Sequence, residues 1–251
     1  MIYIPSKKRP HLIKKTLQYV AYCPENKIYL VVAPDEVAAY EDAVGEVQAL
    51  LHSPIYVITR ADGGKGISYA RNIAVEHAAD QGYEALVMID DDMGCTNLNL
   101  LLDYAQQNSD IGGVAAYWPT YVRFLDLEPN QGVVLHSKTL GQACIGFRTA
   151  HVLEVGGFDI RLHRKEDYDM RIMLLKAGYA WYIHTDCLLK LTGKPYGEGG
   201  IQSMGISQEK LERDAYEVLC AKHGAQFFSW SQQKTTAIRT HWSKIHKAFG
   251  C

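Results

Sequence analysis

The sequence predicts an α/β fold, a mostly parallel central sheet flanked by helices and followed by a C-terminal helical tail, and three observations carry that reading. The first ninety residues alternate short apolar runs with segments of helical period. Ala85-Leu86-Val87-Met88-Ile89 is apolar throughout, as a strand covered on both faces must be. Glycine and polar residues separate the segments, and no Ser/Pro-rich linker or internal repeat interrupts them.

Met1–Ile4 reads as a short strand and Pro10–Tyr22 as a helix, with Leu12, Ile13, Thr16, Leu17 and Val20 near helical spacing. Ile28–Ala33 and Ile55–Thr59 are strands; Glu36–Leu51 and Gly66–Gln81 are the helices that follow them. This βαβαβαβ order, closed by Ala85–Ile89, implies a parallel sheet with right-handed crossovers. A helix to Gln107, an apolar strand Ile111–Tyr117, a hairpin near Leu125–Leu135 and a helix ending at Val155 come next. Tyr168–Ala177 is a helix stopped by Gly178, and Gln208–His223 is another. The domain reading is 1–204, with a nucleotide-binding half 1–97 and an acceptor half 98–204, then an extension 205–251.

Composition narrows the class. Apolar and charged fractions of 47% and 22% are ordinary for a globular protein, and a net charge of -2 does not mark a global nucleic-acid binder. The six cysteines are dispersed without a C-x-x-C pair, which argues against a zinc site or disulfide framework and fits a reducing cytoplasm. Lys7, Lys8 and Arg9 follow the first apolar stretch, the wrong order for a signal peptide, and no segment has the apolar length to span a bilayer, so no stable membrane insertion is expected.

Two acidic clusters carry the chemistry. Asp90-Asp91-Asp92 ends the buried strand, and ligands of such sheets collect at the strands' carboxyl ends. Three adjacent carboxylates raise each other's pKa unless a cation compensates, and Mg2+ or Mn2+ suits oxygen ligands that leave positions open for phosphates. A solvated acidic turn is the plainer alternative. Glu166-Asp167-Tyr168-Asp169 opens a helix, where acidic residues also favour the helix dipole. The glycines around Gly63-Gly64-Lys65-Gly66 match neither G-x-x-x-x-G-K-[ST] nor G-x-G-x-x-G.

In order, the chain presents Ala70-Arg71-Asn72, the strand-terminal D-x-D, the segment Gly141–Arg148, Gly156-Gly157-Phe158-Asp159, and Glu166-Asp167. This order resembles the GT-A (Rossmann-like) glycosyltransferases, especially the family 2-like group, over roughly residues 1 to 200. The resemblance implies that Asp90 lies near the ribose or base of a nucleotide-sugar, that Asp92 ligates the metal, with Asp90 as a second ligand, and that Asp91 supports them. It implies that Pro5, Ser6 and Arg9 grip the nucleotide, with Lys8 a surface charge, that Asp62 meets the uracil or ribose, and that Lys65 and Arg71 reach phosphates. Asp167 becomes the general base, with Glu166 or Asp169 orienting the acceptor, although Glu166 and Asp169 could instead pair with Arg164, Lys165 or Arg171. A single carboxylate base leans toward inversion at the anomeric carbon. Many of these enzymes carry a metal-binding His about 25 residues beyond the E-D. This chain has Leu188-Leu189-Lys190-Leu191-Thr192-Gly193-Lys194 there, so either His184 supplies the third metal ligand, or Lys190 or Lys194 serves the diphosphate.

The loop Lys194–Gly200, its glycine pair and the Gln that follows narrow the resemblance to phage glycosyltransferases associated with base-hydroxylating dioxygenases, related to the base J glucosyltransferase of trypanosomes. That implies a UDP-sugar donor, UDP-glucose above all, and 5-hydroxymethylpyrimidine bases in phage DNA, such as 5-hydroxymethylcytosine, as acceptor, in the host cytoplasm. The tail Ser231–Cys251 contributes Lys234, Arg239, Lys244 and Lys247 with no acidic residue, flanked by Trp230 and Trp242. Basic residues there would neutralise phosphates, and an aromatic could stack on a displaced base. Ile238, Trp242, Ile245 and Phe249 near helical spacing read equally as an amphipathic helix packed on the core or lying on a membrane. Two alternatives stand beside the first reading: an enzyme of surface-glycan or lipid-linked sugar synthesis, and a sugar-nucleotide binding protein without catalysis.

Overall fold

The computed structural model describes residues 1–21, 25–119, 129–135, 143–193, 199–231 and 238–249, with the backbone alone at 63, 201 and 202. Lys194 and Lys234 lie outside the described residues.

Strands β1 (Ile2–Pro5), β2 (Ile28–Val32), β3 (Ile55–Thr59) and β4 (Ala85–Ile89) are separated by helices α1 (Pro10–Val20), α2 (Val37–Gln48) and α3 (Ile67–Asp80). They pair in parallel, with Ile2 opposite Ile28 and Val87, and Ile28 opposite Ile55. The remaining elements of the main sheet are β5 (Met93–Cys95), α4 (Leu98–Gln107), β6 (Ile111–Tyr117), β7 (Val133–Leu135), β8 (Cys144–Arg148), α5 (Thr149–Glu154), α6 (Glu166–Lys176) and β9 (Ala180–Leu191). Among the described residues nine strands form one sheet in the order β3-β2-β1-β4-β8-β6-β9-β5, with β7 also on β9. β8 runs antiparallel between β4 and β6, so the sheet is mixed but mostly parallel, as the sequence predicts.

Alternation along each strand makes two cores. Ile2, Ile4, Val87 and Ile89 pack with Ile13, Leu17, Leu101 and Leu102 on the α1, α2 and α4 side. Tyr3, Met88, Ile145 and Phe147 pack with Ile73, Met170 and Leu174 on the α3 and α6 side. Gly146 is the residue that lets α4 lie close, since a Cβ there would stand 2.7 Å from the Leu101 carbonyl oxygen.

The C-terminal part differs from a purely helical tail. α7 (Gln208–His223), capped by the Ser207 hydroxyl accepting from Lys210 N–H at 3.2 Å, leads to an antiparallel ribbon of β10 (Phe228–Trp230) and β11 (Ile238–Thr240), then α8 (Trp242–Phe249). Ile238 therefore belongs to a strand opposite Trp230, not to the helix its spacing suggested, because it is buried by pairing before the turn into α8. Trp242 and Ile245 are buried on one face of α8, while Lys244 and Lys247 are exposed on the other. Among the described residues no helix is long and apolar enough to cross a membrane.

Candidate active site

The carboxyl ends of β1 and β4 bring Ser6, Arg9 and the acidic triplet together. The three carboxylates take different directions, as consecutive residues leaving a strand do. Asp91 turns inward and is 5% exposed: the Ser6 hydroxyl donates to its Oδ2 at 2.5 Å and Arg9 Nη1 to its Oδ1 at 2.9 Å. Thr16 Oγ1 donates to the Asp91 carbonyl at 2.7 Å. Tyr40 completes the relay, its hydroxyl 2.6 Å from Ser6 Oγ and accepting from Arg9 N–H at 3.0 Å. Burial raises the Asp91 carboxyl above its ordinary range, and Arg9 and Ser6 oppose that rise. Asp91 is thus a pin between β4, α1 and the loop after β1.

Asp90 and Asp92 flank that pin. Asp92 lies 3.3 Å from Arg9 Nη1, and its backbone carbonyl accepts from Thr192 N–H at 2.8 Å and Gly193 N–H at 3.3 Å. Asp90 Oδ1 accepts from Arg71 Nη2 at 3.0 Å. Desolvation pushes the Asp90 carboxyl up to about 8; Arg71 opposes the shift, while Asp92, Glu166 and Asp91 add to it. A side chain 37% open to solvent moderates that rise without reversing it.

Arg71 connects the two acidic clusters. Its Nη2 also stands 3.4 Å from Glu166 Oε1 at the first turn of α6, and its guanidinium lies 5.5 Å from the Phe158 ring centre. The side chain is 5% exposed, yet among the described residues Nε and Nη1 have no hydrogen-bond partner. The next residue, Asn72, donates to the Phe158 carbonyl at 2.9 Å and accepts from Phe158 N–H at 2.7 Å. The A-R-N and G-G-F-D segments are thereby one joint.

α6 begins at Glu166, two residues before the helix start expected from sequence, because Lys165 takes a left-handed φ of 65° and turns the chain directly into it. Glu166 is buried against Arg71. Asp167 is pushed up to about 6, chiefly by desolvation and by Glu166; Arg71, Lys165 and the Tyr168 N–H, which it accepts at 2.9 Å, pull it down. Asp169 leaves the site for α7, meeting His223 Nε2 and Lys222 Nζ at 2.7 Å each. Arg164 and Lys165 pair with Glu212, and Arg171 stacks between Trp181 and Trp242, 5.1 and 4.3 Å from their ring centres.

The other expected residues sit farther out. Pro5 closes β1 opposite Val31. Asp62, 3.9 Å from Arg60, precedes the single turn Gly63–Lys65, where Lys65 is exposed; Lys7 Nζ donates to the Gly64 carbonyl at 2.6 Å and holds that turn beside the β1 loop. Lys8 is exposed, with its N–H on Glu36 at 2.9 Å. Lys190 lies over the Tyr19 ring at 5.4 Å. His184 is not brought to the triplet. It shares a row of the sheet with Ile89 but three strands away, roughly 14 Å at ~4.8 Å per strand, and faces Tyr104 of α4. Among the described residues no three His, Cys, Asp or Glu side chains converge as a complete metal site.

Thr16, Tyr40, Thr192 and Glu212 join the site or its supports without having been expected there. Thr16 is the one polar member of the α1 apolar stripe, a signal that was available; the others come from elements distant in sequence.

The TET-associated glycosyltransferase family matches residues 1–115, from β1 into β6. A search of curated proteins finds no match. Among solved structures, the mannosyltransferase PcManGT from Pyrobaculum calidifontis in complex with GDP-Man and Mn2+ is similar with TM-score 0.60 and 13% identity, over 88% of this chain and 62% of that one. GalNAc-T7 with UDP, GalNAc and Mn2+ is similar with TM-score 0.59 and 10% identity, over 100% of this chain and 54% of that one. A nucleoside-diphosphate-sugar pyrophosphorylase from Vibrio cholerae is similar with TM-score 0.52 and 13% identity, over 78% and 96%. The chain thus spans less than two thirds of the length of the first two. At these identities the likeness shows the fold, the GT-A type expected from the sequence. The family match bears out the resemblance to glycosyltransferases associated with base-hydroxylating dioxygenases, over the residues it covers.

Proposed function

We propose that this GT-A-fold chain is a metal-dependent glycosyltransferase that moves a sugar, glucose first among candidates, from a UDP-sugar to the hydroxymethyl group of a modified pyrimidine in DNA. The family match and the glycosyltransferase neighbours support the reaction class. The observation that carries the reading to this site is Arg71, a buried guanidinium bridging Asp90 and Glu166 with two donors left for a ligand. Unpartnered buried donors are costly, and sugar hydroxyls or phosphate oxygens would satisfy them.

The donor set fits a divalent cation. Asp90, Asp91, Asp92, Glu166 and Asp167 gather around the guanidiniums of Arg9 and Arg71, and this excess of negative charge adds to the desolvation that chiefly lifts the Asp90 and Asp167 carboxyls. A hard cation held by Asp90 and Asp92, with water and phosphate oxygens completing its shell, relieves that excess. The Mn2+ of the two glycosyltransferase neighbours supports the same choice. Such an ion, when bound, neutralises charge on the departing nucleoside diphosphate.

The chain's own residues do the rest. Ser6, Arg9 and Asp91 hold the loop after β1 against β4, so the donor meets a fixed wall. Asp62, Lys65 and the turn held by Lys7 border it on the nucleotide side. Asp167, with a proton affinity raised toward neutrality, takes the acceptor hydroxyl's proton during attack on the anomeric carbon; Glu166 and Arg71 orient it. One carboxylate acting as base favours inversion.

For the acceptor, Arg239, Lys244 and Lys247 offer an exposed basic edge to phosphates. Trp242 does not serve as a base-stacking residue, being 8% exposed beneath Arg171. Trp230, half-buried between Arg213 and Tyr216, remains suited to it. The apolar face of α8 is used in packing, which removes the feature that favoured a membrane-lying tail.

The test is label transfer from UDP-glucose with Mn2+ to DNA containing 5-hydroxymethylcytosine, with unmodified DNA and Asp92→Ala as controls. Label on the modified DNA alone, lost in the variant, supports both acceptor and metal. Metal-dependent hydrolysis of UDP-glucose without DNA labelling retains the glycosyltransferase and removes this acceptor. Tight donor binding with no turnover under any condition favours the non-catalytic alternative.

A further inference from the structure

Helix α7 lies beyond the residues of the family match, yet it grips the start of α6 at two points, one just before the helix and one in its first turn. Glu212, 1% exposed, meets Arg164 Nε at 2.5 Å and Lys165 Nζ at 3.9 Å. Toward the other end of the same helix, Lys222 and His223 hold the fully buried Asp169 at 2.7 Å each. Between these grips lie Glu166 and Asp167. Lys165 is a poor residue for a φ of 65°, a conformation that glycine adopts freely and lysine does not. Its ammonium is held by ionic attraction rather than a hydrogen bond, 3.9 Å from the buried Glu212 carboxylate and 4.6 Å from the Tyr168 ring centre. A buried carboxylate whose cationic partner is lost is left as an uncompensated charge, which is strongly destabilising.

Resting on the function proposed above, we infer that Glu212 is a positioning residue: by fastening Lys165 in its left-handed turn it sets where Asp167 faces the cleft. Glu212 pairs with Arg164 and Lys165, outside the triplet and Arg71, so its effect runs through the Lys165 backbone. A base displaced by even about 1 Å loses on the order of 10²-fold in rate. The start of α6 is therefore specified from the C-terminal part of the chain.

The experiment compares wild type, Glu212→Gln and the double variant Glu212→Gln with Lys165→Gly, using the full chain. Amide hydrogen exchange at 166–169 reports the turn without reference to activity; Mn2+-dependent turnover of UDP-glucose reports the base. In Glu212→Gln, exchange at 166–169 should accelerate and kcat fall about tenfold or more, with KM for UDP-glucose within about twofold. In the double variant exchange at 166–169 should return toward wild type, because glycine holds the turn unaided; that readout, rather than kcat, decides, since the Lys165 ammonium beside Asp167 is also removed. Unchanged exchange in folded Glu212→Gln overturns the inference. If that variant does not fold, the double variant decides: native exchange supports the inference, and failure to fold overturns it, since Glu212 then acts on the fold rather than on Lys165. A wild type inert toward sugar nucleotides would overturn the function alone, with hydrogen exchange still deciding the role of Glu212.

Discussion

Arg71 and Glu166 meet at 3.4 Å across the cleft, one from α3 in the first half of the chain and the other from the first turn of α6 in the second. Arg71→Lys keeps the charge but not the span to both Asp90 and Glu166. The expected result is weakened UDP-sugar binding with a folded protein. Arg71→Ala, which strands two carboxylates, should also destabilise by about 3–5 kcal/mol in thermal or urea denaturation.

Asp91 and Asp92 are adjacent and should fail differently. Asp91→Asn disturbs the Ser6 and Arg9 contacts of a buried group and is expected to cost about 1–3 kcal/mol in urea denaturation. Asp92→Ala, at a side chain 19% exposed, should leave stability nearly unchanged and abolish Mn2+-dependent turnover.

The raised Asp90 and Asp167 carboxyls predict a stability slope of definite sign. Both bind protons more tightly in the folded state than in the unfolded chain, so without metal their contribution is complete below about pH 4 and is lost as pH rises toward 6 for Asp167 and 8 for Asp90. Melting temperatures in EDTA should fall across that window. Added Mn2+ should recover most at its upper end, where the carboxylates are free of protons; a recovery confined to low pH would contradict the assignment.

Asp167→Asn preserves shape and removes the base. Turnover should fall on the order of 10²–10⁴-fold while calorimetric binding of UDP with Mn2+ is retained.

The basic edge is tested by salt. Replacing Arg239, Lys244 and Lys247 by Gln should lower the salt-dependence slope of DNA binding by up to about 0.9 for each phosphate no longer neutralised, with UDP-sugar binding unaffected. Trp242→Ala is expected to act on stability instead, by about 3–5 kcal/mol, because the ring packs under Arg171 in the core.

The parallel half was legible because its strands are apolar runs and its helices carry clean periodicity: Ala85–Ile89, Ile55–Thr59 and Leu98–Gln107 fall where the pattern puts them. The three-residue strand at Met93–Cys95 was not, since a strand that short has no period of its own and exists by pairing with Leu189–Leu191. Ile238 misled for a related reason: its spacing from Trp242 fits a helix, and only the long-range pairing with Trp230 makes it a strand. At the site, the acidic clusters announce themselves by being adjacent in sequence. Of their partners only Thr16 leaves a sign, as the polar member of an apolar stripe; Tyr40 and Thr192 meet the triplet or its loop only through the folding of separate elements.

The two-way bonding of Asn72 with the Phe158 backbone reaches past stability. A Cβ at Gly157 would come within 2.7 Å of the Asn72 oxygen, so neither segment tolerates a partner of different shape. Fragments exchanged with a related chain would then have to carry residues 72 and 157 together. A crossover between them is expected to give a misfitted joint even when every strand is intact, whereas crossovers outside the pair leave the joint whole. The joint thus couples two positions separated by 84 residues of chain, and a change at either is felt at the other.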